Sequence, residues 1–522
     1  MNKRFYVTTA IDYVNGQPHL GHAYEKVITD VIARIHRAMG EPTFFLTGTD
    51  EHGQKVQQTA VAEGQDPRAY CDALAEVWQE FARTLGLSND DFIRTTDPLH
   101  EAIVQAILAK LHEQGDFYKA PYRGWYSTKE ETFLTDRDRR PDGTFDPAYG
   151  EVIELVEDNW YFRMSRHQQW LIEHIEQHPE FVAPDYRRNE VLGFLRNNTL
   201  EDLCISRPKA RLSWGIPLPF DPDYVTYVWF DALVNYASLP GMRGDTVVLD
   251  ALGRWLPAGV RIEPNPELRL WPADIHVIGK DILKFHAVYW PIMLKAMGLP
   301  LPRQVLAHGW WQKDGQRMSK TTGNVVDPVA VIRDWGLDAF RYYVVRELDI
   351  GPDGNWTDAG FASRYQAELA NGLGNLINRS LAMLRRYRQS VVPARHDELA
   401  PEVGTAVAEV LEHCRRHALQ DALIRIWALI DRANQYIDQT APFKLAKDPA
   451  QAERLDQILY NLVETCRILA VLIHPFLPDT GRRIYEQLGI EGAPDRFELA
   501  AWGGLAPGHR TQAPTPLFPR RD

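Results

Sequence analysis

The chain has 522 residues, of which 25% are charged and 45% apolar, a composition typical of globular proteins and not of disordered ones. Its 58 Lys and Arg against 70 Asp and Glu give a net charge of −12, which excludes a histone-like protein that coats any polyanion but allows a local basic track. The four cysteines form no CxxC pair, which excludes a cysteine zinc knuckle and favours free thiols in a reducing cytoplasm. We expect neither a signal peptide nor a membrane span, because no apolar run approaches the ~20 residues that a span needs.

The first 115 residues predict strands that alternate with helices. Phe5–Ala10 and Pro42–Thr47 are rich in β-formers, and each is followed by a polar, turn-prone stretch. Helical periodicity covers approximately residues 20–39, 52–63, 67–86 and 98–115. A strand–helix–strand order of this length favours an α/β fold with a parallel, doubly wound sheet, which binds ligands at the carboxyl ends of its strands.

The middle of the chain predicts that this sheet is interrupted and then resumed. Short β-prone runs broken by turn signals over 116–225 indicate an inserted connective subdomain. Strand and helix patterns return over 226–310, with predicted strands at Ile275–Gly279 and Gln304–Trp311. Residues 1–115 and 226–310 would thus be the two halves of one Rossmann-like domain.

The last third predicts a different architecture. Residues 311–360 contain a Ser- and Thr-rich loop, and residues 361–500 show the long helical periodicity of an all-α bundle. Residues 501–522 are rich in proline and predict a packed strap or a loose tail. The fold expected for the whole chain is therefore a doubly wound sheet with an insertion, followed by a helical-bundle domain.

The segment Pro18–His22 (PHLGH) lies between the first predicted strand and the first predicted helix. A helix N-terminus there offers free N–H groups and a positive dipole end to an anion. His19 and His22 are three residues apart, so both imidazoles can donate to one phosphate group and stabilise its charge in a transition state. Gly21 leaves room for a flat ring against the backbone. The alternatives are two histidines in a polar turn and, less favoured, a metal pair.

A second segment, Arg317–Asn324 (RMSKTTGN), follows the predicted strand Gln304–Trp311. Lys320 is a mobile positive charge, and a loop of this kind can close over a triphosphate and bring its ammonium to the leaving pyrophosphate. Taken alone, the segment is more simply interpreted as a solvated basic loop. The two segments together are far more specific than either.

Together they resemble the paired signatures of the class I aminoacyl-tRNA synthetases, HIGH and KMSKS, which stand here as HLGH and RMSKT. Leu20, Arg317 and Thr321 depart from the usual residues, whereas Lys320 is retained. Within that class the chain resembles, over essentially its whole length, the methionyl-tRNA synthetase family in its compact, zinc-free bacterial form. The strings that carry this resemblance are TTAIDYVNGQPHLGHAYE (8–25), FLTGTDEHGQKV (45–56), YVWFDALVNY (227–236), IGKDILKFHAVYWP (278–291) and NVVDP (324–328).

The resemblance implies an enzyme that activates methionine with ATP and then esterifies methionine tRNA. The implied catalytic residues are His19, His22 and Lys320, and these residues together with Gly21 would bind ATP, which brings its own Mg²⁺. Zinc and other protein-bound metals are not expected. Three alternatives stay open: a small-molecule nucleotidyltransferase with an HxGH motif, a tRNA-binding relative without catalysis, and a synthetase for another amino acid.

Methionine is unbranched and polarizable, so its pocket should be apolar, aromatic and nearly free of charge. The residues predicted to bind methionine are Ala10, Ile11, Tyr13, Asp50, Trp229, Ala232, Tyr236, Ile282, His286 and Trp290. The resemblance implies that Tyr13 and His286 lie near the sulfur, that Trp229 closes over the side chain, and that Asp50 holds the ammonium group. The alternative is that these aromatic residues are ordinary core.

The resemblance also makes the helical C-terminal part an anticodon-binding domain. Asn371, Asn375 and Arg379 are spaced i, i+4, i+8 on one helix face, where amide and guanidinium groups can read splayed bases. Phe443, where many relatives have tryptophan, could stack on an anticodon base. Alternatively, the polar residues only pair with neighbouring helices. We expect a cytoplasmic monomer that binds methionine, ATP and the initiator and elongator methionine tRNAs.

Overall fold

A computed structural model of the chain describes residues 3–14, 16–129, 132–134, 138–318 and 323–521. The strands are β1 Phe5–Thr9, β2 Asp12–Tyr13, β3 Thr43–Asp50, β4 Asp91–Arg94, β5 Phe117–Ser127, β6 Thr132–Leu134, β7 Val152–Phe162, β8 Val182–Ala183, β9 Leu203–Cys204, β10 Ser206–Pro208, β11 Pro217–Leu218, β12 Asp221–Thr226, β13 Ile275–Gly279, β14 Gln304–His308, β15 Trp311–Lys313, β16 Gln316–Arg317 and β17 Gly354–Trp356.

The α-helices are α1 Leu20–Ala38, α2 Gln54–Ala62, α3 Pro67–Thr84, α4 Pro98–Glu113, α5 Gln168–Gln177, α6 Asp185–Asn197, α7 Val228–Met242, α8 Thr246–Leu252, α9 Trp290–Met297, α10 Pro328–Trp335, α11 Leu337–Arg346, α12 Asp358–Arg364, α13 Asn375–Arg388, α14 Ala400–Arg415, α15 Leu419–Thr440, α16 Pro442–Leu445, α17 Ala452–Ile473 and α18 Pro478–Leu488. Two stretches, Phe285–Tyr289 and Tyr365–Gly374, are π-helical. The chain divides into two compact units, one of residues 1–18, 44–83 and 89–308, the other of residues 19–43, 84–88 and 309–522.

The first unit is built on a seven-stranded sheet in the order β2-β3-β1-β13-β14-β8, with β4 paired to β3. The pairs β1–β13, β13–β14, β14–β8, β2–β3 and β3–β4 are all parallel. All eight residues of β3 are buried, as expected for a parallel strand with both faces covered. The predicted α/β class and the predicted strands at the start of the chain and at Ile275–Gly279 are confirmed.

The segment that we predict to be inserted, 116–225, forms two small antiparallel sheets. One has the order β6-β5-β7-β9 and the other β10-β12-β11. Within the same segment β8 pairs with β14 and so extends the main sheet. The insertion therefore returns to the main sheet once before it ends.

The second unit contains α1, a three-stranded sheet in the order β16-β15-β17, and the C-terminal helices. The predicted strand Gln304–Trp311 is in fact two: β14 ends at His308, and β15 belongs to this second sheet. From Leu459 to Ile473 every residue of α17 is buried, so this helix forms the centre of the helical bundle. The predicted helical C-terminal domain is confirmed.

A buried ion pair fixes helix α1 within the second unit. Arg341 of α11 is fully buried and donates to Asp30 Oδ2 of α1 at 2.7 Å. Burial alone would raise the pKa of Asp30, but Arg34, Arg341 and a hydrogen bond from Ser88 outweigh it and lower that pKa to about 2. Arg341 also donates to the Leu85 and Phe476 carbonyl oxygens at 3.2 and 3.0 Å.

The proline-rich tail packs as a strap on the helices of the second unit. Leu517 and Phe518 are buried, and the Tyr365 hydroxyl donates to the carbonyl oxygen of Pro519 at 2.9 Å. Arg483 of α18 donates to the Leu517 carbonyl oxygen at 3.0 Å. In the part of the chain that the structure describes, no helix is long and apolar enough to cross a membrane.

Candidate active site

The carboxyl ends of β1 and β3 bring the first predicted methionine-binding residues to one edge of the parallel sheet. Tyr13 of β2 lies opposite Asp50, the last residue of β3, and the Val14 N–H donates to the Asp50 carbonyl oxygen at 3.1 Å. Ala10 follows β1, and it and Ile11 are partly buried against the core of this unit. Ligands of such sheets bind at this edge, so these residues lie where the fold predicts a site.

The loop after β3 is held firmly by Glu51, the residue next to Asp50. Glu51 is fully buried and accepts from the Arg94 guanidinium at 2.7 and 2.8 Å. The hydroxyl groups of Thr49 and Thr96 donate to the same carboxylate at 2.6 and 2.5 Å. A carboxylate with this many donors cannot rotate freely, and it therefore fixes the backbone that carries Asp50.

Helix α7 contributes Ala232 and Tyr236. Tyr236 contacts His286, which in turn contacts Ile282. The Tyr236 hydroxyl is 2.7 Å from His286 Nε2, and His286 Nδ1 is 3.0 Å from the Ile282 carbonyl oxygen. A carbonyl can only accept, so Nδ1 carries the proton of His286 and Nε2 accepts from the tyrosine. Burial lowers the pKa of His286 to about 4, so this ring is neutral near pH 7.

Behind Tyr236 lies a second buried histidine that the sequence does not single out. The His276 ring is centred 4.2 Å from the Tyr236 ring, and its Nε2 accepts from Trp290 Nε1 at 3.2 Å. Its Nδ1 is 2.8 Å from the Thr8 hydroxyl. Burial and the nearby His286 lower the pKa of His276 far below its usual range. Rings line this wall of the site, and the two buried imidazoles carry no charge at neutral pH.

Trp229 lies in the first turn of helix α7 and stacks on a residue that the prediction missed. The rings of Trp229 and Phe285 are 3.8 Å apart and nearly parallel, at 9°. Phe285 directly precedes His286 in a π-helical turn, a rare geometry that is frequent at functional sites. Its position next to a predicted residue was the one sequence signal that could have identified it. Trp229 itself is half-buried, so one part of its ring remains accessible.

A further group missed by the sequence analysis is the buried carboxylate of Asp231 in α7. It lies between the imidazoles of His52 and His100, at 2.6 and 2.7 Å. The three residues are separated by long stretches of sequence, and no local pattern links them. They touch none of the predicted binding residues through a described hydrogen bond.

In the second unit, the two histidines of the HLGH motif pack against each other at the start of α1. Their rings are stacked with centroids 3.7 Å apart. His19 Nδ1 accepts from the Gly21 N–H at 3.1 Å, and His22 Nδ1 accepts from the His19 N–H at 3.3 Å. Because a backbone N–H can only donate, each neutral ring carries its proton on Nε2, the tautomer that can donate to a phosphate oxygen.

Gly21 packs closely against this pair. A Cβ at position 21 would lie 3.0 Å from His19 Cε1 and 3.2 Å from His19 Nδ1, closer than side chains normally approach. A larger residue would therefore press on the His19 ring, which serves as the N-cap of α1. The prediction that Gly21 leaves room for a nucleotide ring stays a prediction.

Lys320, the third predicted catalytic residue, lies outside the described residues. The segments on either side are ordered against each other, since Asn324 Nδ2 donates to the Lys313 carbonyl oxygen at 3.2 Å. Arg317 lies over the Trp310 ring at 4.8 Å.

The four predicted anticodon-binding residues occupy the helical part of the second unit. Asn371 is exposed in the π-helical stretch, whereas Asn375 and Arg379 are half-buried at the start of α13. Arg379 pairs with Asp438 of α15 at 2.8 Å, as in the alternative of pairing between helices. Phe443 in α16 is 46% exposed, which leaves its ring accessible to a base.

All four cysteines are free and buried in separate parts of the chain. Within the described ranges, no group of three or more His, Cys, Asp or Glu side chains is placed to hold a metal ion.

Comparisons with known proteins cover the full chain. The family model described as "tRNA synthetases class I (M)" matches residues 5–154 and 149–381, and "Anticodon binding domain of methionyl tRNA ligase" matches residues 389–521. The methionine–tRNA ligase of Bacillus subtilis is 42% identical over 99% of this chain and 78% of its own, and that of Rhizobium meliloti is 40% identical over 99% and 98%. The crystal structure of Mycobacterium tuberculosis methionyl-tRNA synthetase with methionyl-adenylate matches with a TM-score of 0.90 at 38% identity, over 99% of this chain and 100% of that one.

Proposed function

Because the chain belongs to the methionyl-tRNA synthetase family, we propose that it performs the reactions of that family with the residues described above. It is a class I aminoacyl-tRNA synthetase, a ligase that activates L-methionine with ATP to methionyl-adenylate and transfers the methionyl group to the 3′-terminal adenosine of methionine tRNA. The assignment of each residue to a role is our proposal.

The choice of methionine is supported most by the uncharged wall that Tyr236, His286 and Trp290 form. His286 of this wall and His276 behind it are both neutral at pH 7, so the wall imposes no desolvated charge on a thioether. Sulfur also makes favourable contacts with aromatic rings, worth ~0.3–1.5 kcal/mol each. Ala10, Ile11, Ala232 and Ile282 complete the apolar lining of the proposed pocket, with Tyr13 near the sulfur.

Asp50 is proposed to bind the ammonium group, and Trp229 to cover the methionine side chain. Asp50 ends a buried strand, so its carboxylate is held on a rigid element next to the loop that Glu51 fixes. Trp229 is supported from behind by its stack with Phe285, which keeps the indole plane in one orientation.

Adenylate formation needs placement and charge stabilisation but no protein nucleophile. A carboxylate oxygen of methionine attacks the α-phosphorus, the bond to the bridging oxygen breaks, and pyrophosphate leaves. We propose that the Nε2–H groups of His19 and His22 donate to the phosphate oxygens as their charge grows, and that Lys320 neutralises the leaving pyrophosphate. ATP would bring its own Mg²⁺, which would neutralise part of the phosphate charge.

In the second step, a hydroxyl oxygen of the terminal ribose attacks the carbonyl carbon of the adenylate, and AMP leaves as the ester forms. Asn371, Asn375, Arg379 and Phe443 are proposed to bind the anticodon of initiator and elongator methionine tRNAs. Arg379 would exchange its ion pair with Asp438 for a base edge, a small cost because Asp438 is 67% exposed.

We also propose a division of the chain into six functional segments, of which 311–360 contacts the tRNA stem. The six segments are 1–115, 116–225, 226–310, 311–360, 361–500 and 501–522. We propose a monomer without bound zinc that acts in the cytoplasm, where its tRNA substrates are used.

The decisive experiment is ATP–pyrophosphate exchange with each of the twenty amino acids. We expect exchange with methionine alone, followed by charging of methionine tRNA. Exchange with cysteine would favour a different synthetase, exchange without any amino acid would favour a small-molecule nucleotidyltransferase, and tRNA binding without exchange would indicate a relative that has lost catalysis.

A further inference from the structure

The carboxylate of Asp231 is fully buried and held by two imidazoles. Its Oδ1 is 2.7 Å from His100 Nε2, and its Oδ2 is 2.6 Å from His52 Nδ1. An ionised carboxylate only accepts, so both imidazole nitrogens donate to it. His100 continues the chain of contacts, since its Nδ1 is 2.7 Å from the Ser238 hydroxyl.

These contacts fix the face of helix α7 that packs against helix α4. Asp231 and Ser238 are seven residues apart and thus share the face of α7 that meets α4, which carries His100. The same helix carries three residues of the proposed methionine pocket, Trp229, Ala232 and Tyr236. A rotation or slide of α7 would therefore move the pocket wall and break the contacts to Asp231 together.

His52, the third residue of this cluster, connects helix α7 to the proposed ammonium subsite. His52 lies two residues after Asp50, in the loop that ends β3, and is buried. One carboxylate thus connects the loop that follows Asp50 with the helix that carries the pocket wall. A buried ionic cluster is weak evidence for stability, because apolar side chains of similar volume often stabilise a fold as well. Unlike apolar side chains, however, the cluster orients the groups that it joins, because each hydrogen bond fixes both a distance and an angle.

We propose that Asp231, His52 and His100 are positioning residues that set the distance between the ammonium and thioether subsites for methionine. This inference rests on the proposed function and deepens it. None of the three side chains needs to touch methionine, and their effect is on where Asp50 and helix α7 stand relative to each other.

The charge on His52 gives this arrangement a dependence on pH. Burial lowers the pKa of His52, but the charge and hydrogen bond of Asp231, with Glu101 and Glu51, outweigh it and raise that pKa above its usual value. Glu101 Oε1 is 3.8 Å from His52 Nε2, and burial raises the pKa of Glu101. The titratable groups near His52 also include His100 and, beyond Glu101, Arg68.

Because the folded pKa of His52 is raised, its charged form persists below that pKa and is lost as pH rises through it. The contact with Asp231 then weakens from a charge-assisted to a neutral hydrogen bond. The KM for methionine should therefore rise on the alkaline side of the His52 pKa, while the KM for ATP should not follow it.

A crossed pair of amide substitutions tests the geometry. The Asn amide nitrogen lies near the place of an imidazole Nδ1, and the Gln amide nitrogen lies near that of Nε2. His52 uses Nδ1 and His100 uses Nε2 towards Asp231, so His52→Asn and His100→Gln keep a donor in place, whereas His52→Gln and His100→Asn misplace it. His112→Gln and His112→Asn on the same helix as His100 are the controls, because His112 is exposed and stacks on Phe220.

The KM values for methionine and ATP are measured by ATP–pyrophosphate exchange, with thermal melting as a check on folding. We expect the misplaced amides to raise the KM for methionine about tenfold, equal to ~1.4 kcal/mol, with the KM for ATP changed less than twofold. The matched amides should stay within about threefold of wild type. His52→Asn should also lose the alkaline rise in the KM for methionine.

Three outcomes overturn the inference: no difference between matched and misplaced amides, an equal rise in both KM values, or an alkaline rise that survives in His52→Asn. A wild-type protein without methionine-dependent exchange would instead overturn the proposed function. The two failures are therefore distinguishable.

Discussion

The loss of Arg341 should destabilise the second unit far more than the loss of a surface arginine. Its guanidinium is fully buried and donates to Asp30 Oδ2 at 2.7 Å and to three backbone carbonyl oxygens at 3.0, 3.2 and 3.5 Å. Arg341→Met retains most of the volume but removes one donor from each of these acceptors. Breaking a buried ion pair costs ~3–5 kcal/mol. We expect a loss of about 3 kcal/mol, the lower end, because Asp30 keeps Arg34 at 2.6 Å.

The matched control is Arg333→Met, because Arg333 pairs with Asp334 while their side chains are 73% and 53% exposed. Such an exposed pair contributes little to stability, because solvent screens it. Thermal unfolding followed by circular dichroism should show a Tm lowered by about 6 °C or more for Arg341→Met and by less than about 3 °C for the control. Amide hydrogen exchange in α1 should accelerate only in Arg341→Met. Equal melting temperatures for the two variants, or unchanged exchange in α1, would refute the assignment of Arg341 as the anchor of that helix.

Three further outcomes are expected. His22→Ala and Lys320→Ala should each slow adenylate formation by orders of magnitude with little change in methionine affinity; pre-steady-state pyrophosphate release at the wild-type rate would contradict their roles. Phe443→Ala should raise the KM for tRNA by about tenfold, from a lost stacking energy of ~1–3 kcal/mol, and leave pyrophosphate exchange alone; an unchanged charging rate at limiting tRNA would count against it. Asp30, whose folded pKa is lowered to about 2, should contribute about 2 kcal/mol that is present above about pH 4 and lost as pH falls towards 2; Asp30→Asn should remove this acid dependence, and an unchanged acid dependence in that variant would show that other groups cause it.

The elements predicted from the sequence are those whose signal is local. Phe5–Thr9 and Ile275–Gly279 are continuous β-prone runs, and Leu20–Ala38 has clear helical periodicity. The strand Val182–Ala183 has two residues and no such pattern, because its pairing with β14 comes from the fold. The predicted strand at Gln304–Trp311 is interrupted around Gly309, where the chain passes so close to another backbone that a Cβ would lie 1.9 Å from the Pro352 carbonyl oxygen, and only glycine fits there.

The same distinction applies to the candidate site. Tyr236, His286 and Trp290 come from strings that carry the resemblance, and these three side chains lie together in the structure. The contacts of Asp231 were missed because its partners lie 179 and 131 residues away along the chain. A single sequence reports such a cluster only as isolated polar residues, since the pairing depends on how whole helices pack.

The π-helical stretch Tyr365–Gly374 allows the C-terminal helices to hold one residue more than a regular α-helix of the same length would. A π-turn contains one more residue than an α-turn, so the helix after it keeps nearly the orientation that it would have without the extra residue. Removing one residue from this stretch would therefore leave Asn375 and Arg379 on the same side of the bundle, whereas removing one residue of α13 between them would turn Arg379 away from Asn375 by about 100°.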